Sequence, residues 1–199
     1  MSLPGGDQKL IQIVDAALAD TARRSGAWLA CKLGCSQWCS GVFAINQLDV
    51  LRLQHGLAEL EKCDPLRAAR VRERARASLE RLRASFPGNP HTGILDESEA
   101  GAAAFEDFAN DEPCPALDPG SGACDLYNAR PMTCRVFGPP VRSEEGLGVC
   151  ELCYHGATEK EIAACEMTPD PENLETTLLE AVEHARASGR TIVPYALAR

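Results

Sequence analysis

Three cysteines stand close together near the start of the chain, in the segment Cys31-Lys-Leu-Gly-Cys35-Ser-Gln-Trp-Cys39. Cysteine thiolates are strong ligands for zinc and iron, and one short segment delivers several of them at a low cost in loop-closure entropy. Small buried thiols one helical turn apart would produce the same spacing without a metal. Because three cysteines lie within nine residues, we interpret the segment as a source of metal ligands.

A second group of cysteines lies beyond the middle of the chain, where nine residues separate each successive pair of Cys114, Cys124 and Cys134. Pro131 favours the first turn of a short helix. Such a helix would leave Cys134 near backbone amides that favour a thiolate over a thiol. This group therefore adds three further candidate ligands.

The third group is Cys150-Glu-Leu-Cys153, whose spacing lets two sulfurs chelate one tetrahedral metal ion. Tyr154 stands where attachment of a c-type haem would require a histidine, so haem is not expected. His155 is another candidate ligand, although a histidine beside a site is more often a surface group.

Radical S-adenosylmethionine proteins use the spacing Cys-x3-Cys-x2-Cys, which the first group does not match, so that enzyme class is not expected either.

The expected compartment of the protein favours ligand cysteines over disulfide bonds, and its charge bears on the kind of partner. The first thirty residues contain no readable signal peptide and no apolar stretch of membrane-spanning length, so we expect a cytoplasmic protein. A reducing cytosol keeps the ten cysteines available as ligands. The formal net charge of -9 opposes attraction to nucleic acid and to anionic lipid. We therefore expect a protein partner or protein substrate.

Helical periodicity dominates the rest of the chain. It predicts helices over residues 7–25, 46–62, 66–86, 97–108, 158–166 and 171–188. The first has acidic residues early and Arg23-Arg24 late, and Asp64-Pro65 supplies a cap and a first-turn proline between the second and the third. The stretch between residues 111 and 153 is rich in Pro, Gly and Cys, and it would order poorly unless a metal held it. We predict one all-α metal-binding domain over residues 1–199, with an irregular cysteine-rich segment organised around the metal. Its parts are a helical scaffold at 7–110, the cysteine-rich segment at 111–155 and C-terminal helices at 158–188.

One of the predicted helices is dense in arginine, because residues 67–83 contain seven arginines and two glutamates. The segment has no interleaved aromatic residues on which nucleic-acid bases would stack. The favoured interpretation is a solvated face opposite the apolar stripe of the helix. An acidic partner protein, or an acidic patch of the same chain, would satisfy these arginines equally well.

The segment from Cys124 to Phe137, Cys-Asp-Leu-Tyr-Asn-Ala-Arg-Pro-Met-Thr-Cys-Arg-Val-Phe, closely resembles the most recognisable stretch of the YkgJ-type cysteine-cluster family of zinc- or iron-chelating domains. The resemblance spans Cys31 to about Cys153. It implies eight ligands around an iron–sulfur or zinc centre: Cys31, Cys35, Cys39, Cys114, Cys124, Cys134, Cys150 and Cys153. This sequence departs from the family at Trp38, which stands where two adjacent cysteines usually close the cluster. Cys63 and Cys165 fall outside the pattern and are expected to be packing residues.

The resemblance also implies what surrounds the metal and what the metal does. Tyr127, Arg130 and Arg135 are the candidate cofactor residues. The two arginines would place positive charge beside the thiolates, and the alternative is that they are ordinary solvated side chains. We expect an iron–sulfur cluster in the native protein, with zinc able to occupy the same sulfurs after purification in air. Flagellin lysine N-methylase shares the cysteine domain, so protein modification such as methyl transfer is one predicted function. The sequence lacks the Gly-rich turn that would hold S-adenosylmethionine. The alternative is a non-catalytic, zinc-stabilised interaction or assembly protein.

Overall fold

The computed structural model describes residues 2–31, 35–36, 39–143, 146–185 and 188–198. Within these residues the α-helices are α1 (Asp7–Ser25), α2 (Gln47–Cys63), α3 (Pro65–Leu82), α4 (Glu99–Glu106), α5 (Met132–Val136), α6 (Glu159–Ala164), α7 (Leu174–Ala185) and α8 (Val193–Leu197). The strands are β1 (Ala44–Ile45), β2 (Gly88–Asn89), β3 (Ile94–Leu95), β4 (Val141–Ser143), β5 (Gly146–Gly148) and β6 (Thr191–Ile192). The predicted, mainly helical architecture is confirmed. None of the described helices is long and apolar enough to cross a membrane.

The chain divides into two compact units. Unit 1 comprises Met1–Leu3, Gly34–Pro131 and Leu179–Arg199, and unit 2 comprises Pro4–Leu33 and Met132–Leu178. Each unit is assembled from segments that are distant in sequence. The assignment of the whole chain to a single metal-binding domain stays a prediction.

Unit 1 is built on the packing of α2, α3 and α8. Asp64 lies between α2 and α3 and caps α3, because its carboxylate accepts a hydrogen bond from the backbone N–H of Arg67 at 3.0 Å. Pro65 occupies the first turn of α3, as the sequence predicts. The buried core of these helices also contains Ala116 and Leu126, which lie two residues beyond Cys114 and Cys124. The core therefore anchors both cysteine-bearing loops.

Two antiparallel strand pairs, β1 with β6 and β2 with β3, complete unit 1. A cluster of aromatic rings packs beside them, with the Phe86 ring set edge-on to Phe108 and to Tyr195 at centroid separations of 5.9 and 5.0 Å. Neither β6 nor α8 was predicted, because elements of two and five residues are too short to establish a period.

The arginines of α3 contact acidic groups of the same unit. Both terminal nitrogens of Arg72 donate to the Glu61 carboxylate at 2.8 Å, and Arg81 Nε donates to Glu112 Oε2 at 3.2 Å. Arg72 and Arg81 therefore pair with acidic groups of the same chain, one of the interpretations that the sequence offered for this helix. Such partly exposed ion pairs contribute little to stability individually.

Unit 2 is built on the packing of α1 against α5, together with the antiparallel hairpin of β4 and β5. Arg135 of α5 is buried, and its Nη1 donates to Asp15 Oδ1 of α1 at 3.0 Å. Arg24 at the end of α1 donates to the backbone oxygens of Ala164 and Glu166, at 2.6 and 3.0 Å. These contacts tie the N-terminal helix to the C-terminal half of the unit.

Candidate metal centre

Each unit contains four of the eight predicted ligand cysteines. Unit 1 contains the first thiol set, which we define as Cys35, Cys39, Cys114 and Cys124. Unit 2 contains the second thiol set, which we define as Cys31, Cys134, Cys150 and Cys153. None of the ten cysteines, all of which lie in the described part of the chain, forms a disulfide bond.

Backbone pairing brings three members of the first thiol set together. The N–H of Cys114 donates to the carbonyl oxygen of Cys39 at 2.7 Å, which joins the N-terminal cysteine segment to the downstream loop. Cys124 forms an antiparallel bridge with Leu117, three residues after Cys114. Three segments that are up to 85 residues apart in sequence therefore meet at one place in unit 1.

Burial dominates the electrostatics of this set. The pKa of the Cys114 thiol is raised to about 12, chiefly by burial and additionally by the charges of the Cys124 and Cys39 thiolates, against the effect of the backbone amides of Ala116 and Leu117. A lone thiolate is disfavoured at this position, and a bound cation would reverse the preference because metal ligands are deprotonated.

Cys39 and Cys124 of the first set follow the same rule. Burial raises the pKa of Cys39, and the neighbouring Cys35 raises it further. Burial also raises the pKa of Cys124, whereas the backbone amide of Leu126 and the charge of Arg130 act in the opposite direction. Arg130 therefore favours the thiolate form of Cys124, as expected of a cation beside the ligands.

Arg130 is stacked on a neighbouring aromatic ring. Its guanidinium carbon lies 3.6 Å from the centroid of the Tyr127 ring, and the Tyr127 side chain remains partly exposed. These two predicted cofactor residues therefore stand together beside Cys124, whereas Arg135, the third, lies in unit 2 and pairs with Asp15. The cofactor role of all three residues stays a prediction.

The second thiol set contains a close sulfur pair. Cys31 Sγ and Cys153 Sγ are 4.0 Å apart, although the two residues are far apart in sequence. Sulfur atoms at about 2.3 Å from a tetrahedral zinc ion lie about 3.8 Å from each other, so the pair is close to the spacing that one ion requires. Burial raises the pKa of Cys153, the backbone amide of Ala30 and the Cys31 thiol oppose this shift, and Cys150 adds to it.

A glycine makes room for the Cys31 sulfur. Gly138 has φ +116°, and a Cβ atom at this position would lie 2.5 Å from Cys31 Sγ. Gly138 also accepts a hydrogen bond at its carbonyl oxygen from the N–H of Cys150, at 3.4 Å. Cys134 is four residues before Gly138, half-buried on α5. Gly138 therefore links two segments that carry members of the second set.

The CxxCxxCC family, described as a putative zinc- or iron-chelating domain, matches residues 30–154. The chain belongs to the CxxCxxCC family. The matched residues include all eight predicted ligand cysteines and Cys63, whereas Cys165 lies outside them. Metal binding, with zinc and iron as the metals of the family, is therefore supported. No curated protein and no solved structure matches the chain.

Within the described residues of this CxxCxxCC protein, no three His, Cys, Asp or Glu side chains already stand in an arrangement that would hold a metal ion. The close contacts reported above are pairwise, and the assignment of the eight cysteines as ligands stays a prediction. His155 lines a cleft of unit 2 together with Trp28, Leu152 and Tyr154.

Sequence reasoning missed the surroundings of Cys165. This residue is 6% exposed and packs in one cluster with Cys150, Cys153 and Tyr154. The Tyr154 hydroxyl hydrogen-bonds Ser25 Oγ, which in turn donates to the Thr21 carbonyl at 2.7 Å. The expected packing role of Cys165 agrees with its burial, but its proximity to two ligand cysteines had no signal in the spacing.

Replacing Cys165 by serine is expected to destabilise the protein by about 1–3 kcal/mol, because the smaller side chain loses contacts in the buried cluster and carries a more polar hydroxyl. The matched control is Cys63→Ser, since Cys63 is also outside the two thiol sets but is exposed on α2. The control should change stability by no more than about 0.5 kcal/mol. Urea unfolding of the reduced proteins measures both values. Equal unfolding midpoints for the two variants would contradict the assignment of Cys165 to the core.

Proposed function

We propose that this CxxCxxCC-family protein binds two metal ions, zinc or iron, with one thiol set of four cysteines holding each ion. The observation that supports the proposal is the division of the eight cysteines into four in unit 1 and four in unit 2. Four thiolates complete a closed tetrahedral site for either metal. Two closed sites account for every cysteine in the family pattern and leave out only Cys63 and Cys165.

The surroundings of the sulfurs are suited to metal-bound thiolates. Backbone amides act on the sulfurs of Cys114, Cys124 and Cys153, and each lowers the pKa of its thiol. Hydrogen bonds to sulfur stabilise and tune metal–thiolate centres. Because burial outweighs these amides at all three cysteines, the thiolates still need a cation, and a divalent metal would supply it.

The spacing of the second set fits two thiolates on one metal atom. Cys31 Sγ and Cys153 Sγ are 4.0 Å apart, close to the edge of a tetrahedron around one metal. A [4Fe–4S] cluster would give each of its four thiolates a separate iron atom and spread the sulfurs further apart, whereas a single ion or a [2Fe–2S] cluster binds two thiolates to one metal atom.

The metal is proposed to act as a structural staple. Residues 113–131, all of which the structure describes, form neither an α-helix nor a β-strand. They carry two proposed ligands of the first set, Cys114 and Cys124. In segments of this kind the free energy of metal binding becomes free energy of folding.

We propose that the stapled unit binds a protein partner or protein substrate, because the net charge of -9 opposes nucleic acid and anionic lipid. A reducing cytoplasmic setting suits ten cysteines without a disulfide bond. Methyl transfer stays a prediction from the family resemblance.

Purification without oxygen, followed by metal and sulfide analysis, tests the proposal. We expect about two metal ions per chain, one for each thiol set, and no acid-labile sulfide. Acid-labile sulfide in amounts similar to iron would replace the single-ion sites with a cluster. A protein that contains neither zinc nor iron, and takes up neither after reduction, would overturn metal binding itself.

A further inference from the structure

The residue after Cys124 is a buried carboxylate. The Asp125 side chain is only 2% exposed, although aspartate is rarely buried to this degree without a partner. Its Oδ1 accepts a hydrogen bond from Arg67 Nε, and its Oδ2 accepts one from Arg74 Nη2 at 2.5 Å. Two arginines of α3 therefore hold the carboxylate from two sides.

Arg74 reaches a second loop with the same guanidinium group. Its Nε donates to the carbonyl oxygen of Pro115 at 2.8 Å. Pro115 directly follows Cys114, just as Asp125 directly follows Cys124. The guanidinium of Arg74 thus hydrogen-bonds the residues that follow two different cysteines. The two segments are also paired directly, since the N–H of Asp125 donates to Ala116 O at 2.7 Å.

We infer that Arg67, Arg74 and Asp125 form a clamp that sets the distance and orientation of the Cys114 and Cys124 thiols for metal binding. The inference rests on the proposed metal-binding function and adds positioning residues to it. No member of the clamp is itself a candidate ligand. The clamp acts through the residues that follow the two cysteines, at the side-chain carboxylate of Asp125 and the backbone carbonyl of Pro115.

The chemistry of the clamp favours positioning over simple stabilisation. A buried ion pair recovers little more than the cost of removing its charges from water, so apolar side chains of similar volume would often stabilise the fold as well. What an ion pair adds is fixed geometry, because the guanidinium donors of arginine project in a rigid plane. A lysine at position 74 would keep the charge but offers a single ammonium, which cannot reproduce both contacts in that plane.

The test measures zinc affinity of one thiol set at a time, in the full-length chain. A Cys150→Ser/Cys153→Ser background leaves only the first set intact, and a Cys114→Ser/Cys124→Ser background leaves only the second. In the first background, Arg74→Lys and Asp125→Asn are each expected to weaken zinc binding by about 10- to 100-fold, the usual effect of losing a supporting contact around a metal site. In the second background, neither Arg74→Lys nor Asp125→Asn should weaken binding by more than about twofold, because the hydrogen bonds of the clamp join segments of unit 1.

Arg72→Lys is the matched control for Arg74→Lys. Arg72 lies on the same helix, its side chain is 23% exposed against 24% for Arg74, and it pairs with Glu61 rather than with a cysteine loop. We expect this control to leave zinc affinity unchanged. Cobalt substitution adds a spectroscopic measurement, because the thiolate-to-cobalt absorption of the first set should weaken or shift in Arg74→Lys and stay as in the parent protein in Arg72→Lys.

The outcomes separate the clamp from the metal sites. If the first set binds zinc and Arg74→Lys, correctly folded by circular dichroism, binds it equally well, the clamp is wrong and the metal site stands. If Arg74→Lys weakens both sets to the same extent, the arginine supports the fold in general and the clamp is again wrong. If the first set binds neither zinc nor cobalt with Arg74 in place, the proposed function fails for unit 1, and the clamp fails with it.

Discussion

Replacing Cys114 and Cys124 together by serine is expected to lower the metal content from about two ions per chain to about one. The two cysteines are half of the first thiol set, and the remaining pair, Cys35 and Cys39, cannot close a tetrahedral site. Structural zinc sites in small domains contribute about 10–16 kcal/mol of binding free energy to folding, so unit 1 should also lose much of its thermal stability. Metal analysis after gel filtration, combined with a thermal melt, measures both effects.

Cys63→Ser is the control for this experiment. Cys63 lies in unit 1 and within the residues matched by the family, but its thiol donates to the Glu59 carbonyl of its own helix at 3.1 Å. The control should keep both ions and the melting temperature of the parent. Loss of both ions from the double variant would show that the two thiol sets do not bind independently.

The helices were largely predictable because their signal is local. Apolar periodicity with an acidic start and a basic end predicted a helix over residues 7–25, and α1 spans Asp7–Ser25. The start of α3 was predicted with its cap because Asp64 and Pro65 are adjacent in sequence. The strand pairs were not predictable in this way. Ala44 pairs with Ile192, and a local sequence pattern does not indicate a strand partner so distant in the chain.

The candidate ligands were predictable as a list but not as two sets. Cys31 and Cys35 are four residues apart and read as one cluster, yet they belong to different units. Which cysteines meet depends on which segments pack together, and this is decided by contacts such as the hydrogen bond between Cys39 and Cys114. The sequence left the number of metal sites open, because eight cysteines could fill two tetrahedral zinc sites or give four ligands to one cluster.

The arginine-rich helix shows the same limit. Its composition indicated many cations without stacking aromatics, which argued against nucleic-acid binding. That Arg74 lies against Asp125, 51 residues further along the chain, follows only from the fold. The sequence could therefore suggest acidic partners in the same chain, but it could not connect them to the cysteines.

The second thiol set should be sensitive to a single added methyl group. Gly138→Ala would place a Cβ atom 2.5 Å from Cys31 Sγ, which is a steric clash. Either the sulfur or the backbone of Gly138 must move, and both changes disturb the 4.0 Å spacing between Cys31 Sγ and Cys153 Sγ. We expect zinc affinity of the second set to fall at least about tenfold, as when support around a metal site is lost.

A second glycine of unit 2 separates this steric effect from backbone strain. Gly146 has φ +129° and Gly138 has φ +116°, so alanine at either position incurs a similar conformational cost of about 1–3 kcal/mol. A Cβ atom at Gly146, however, would have no heavy atom of the described residues within 4 Å, its two chain neighbours apart. Gly146→Ala should therefore lower stability without lowering zinc affinity, measured in the Cys114→Ser/Cys124→Ser background. If both alanine variants bind zinc as tightly as the parent, the Cys31 sulfur is not a ligand at the position in which unit 2 holds it. If both weaken binding equally, strain alone explains the loss, and the room that Gly138 leaves for the sulfur has no part in metal binding.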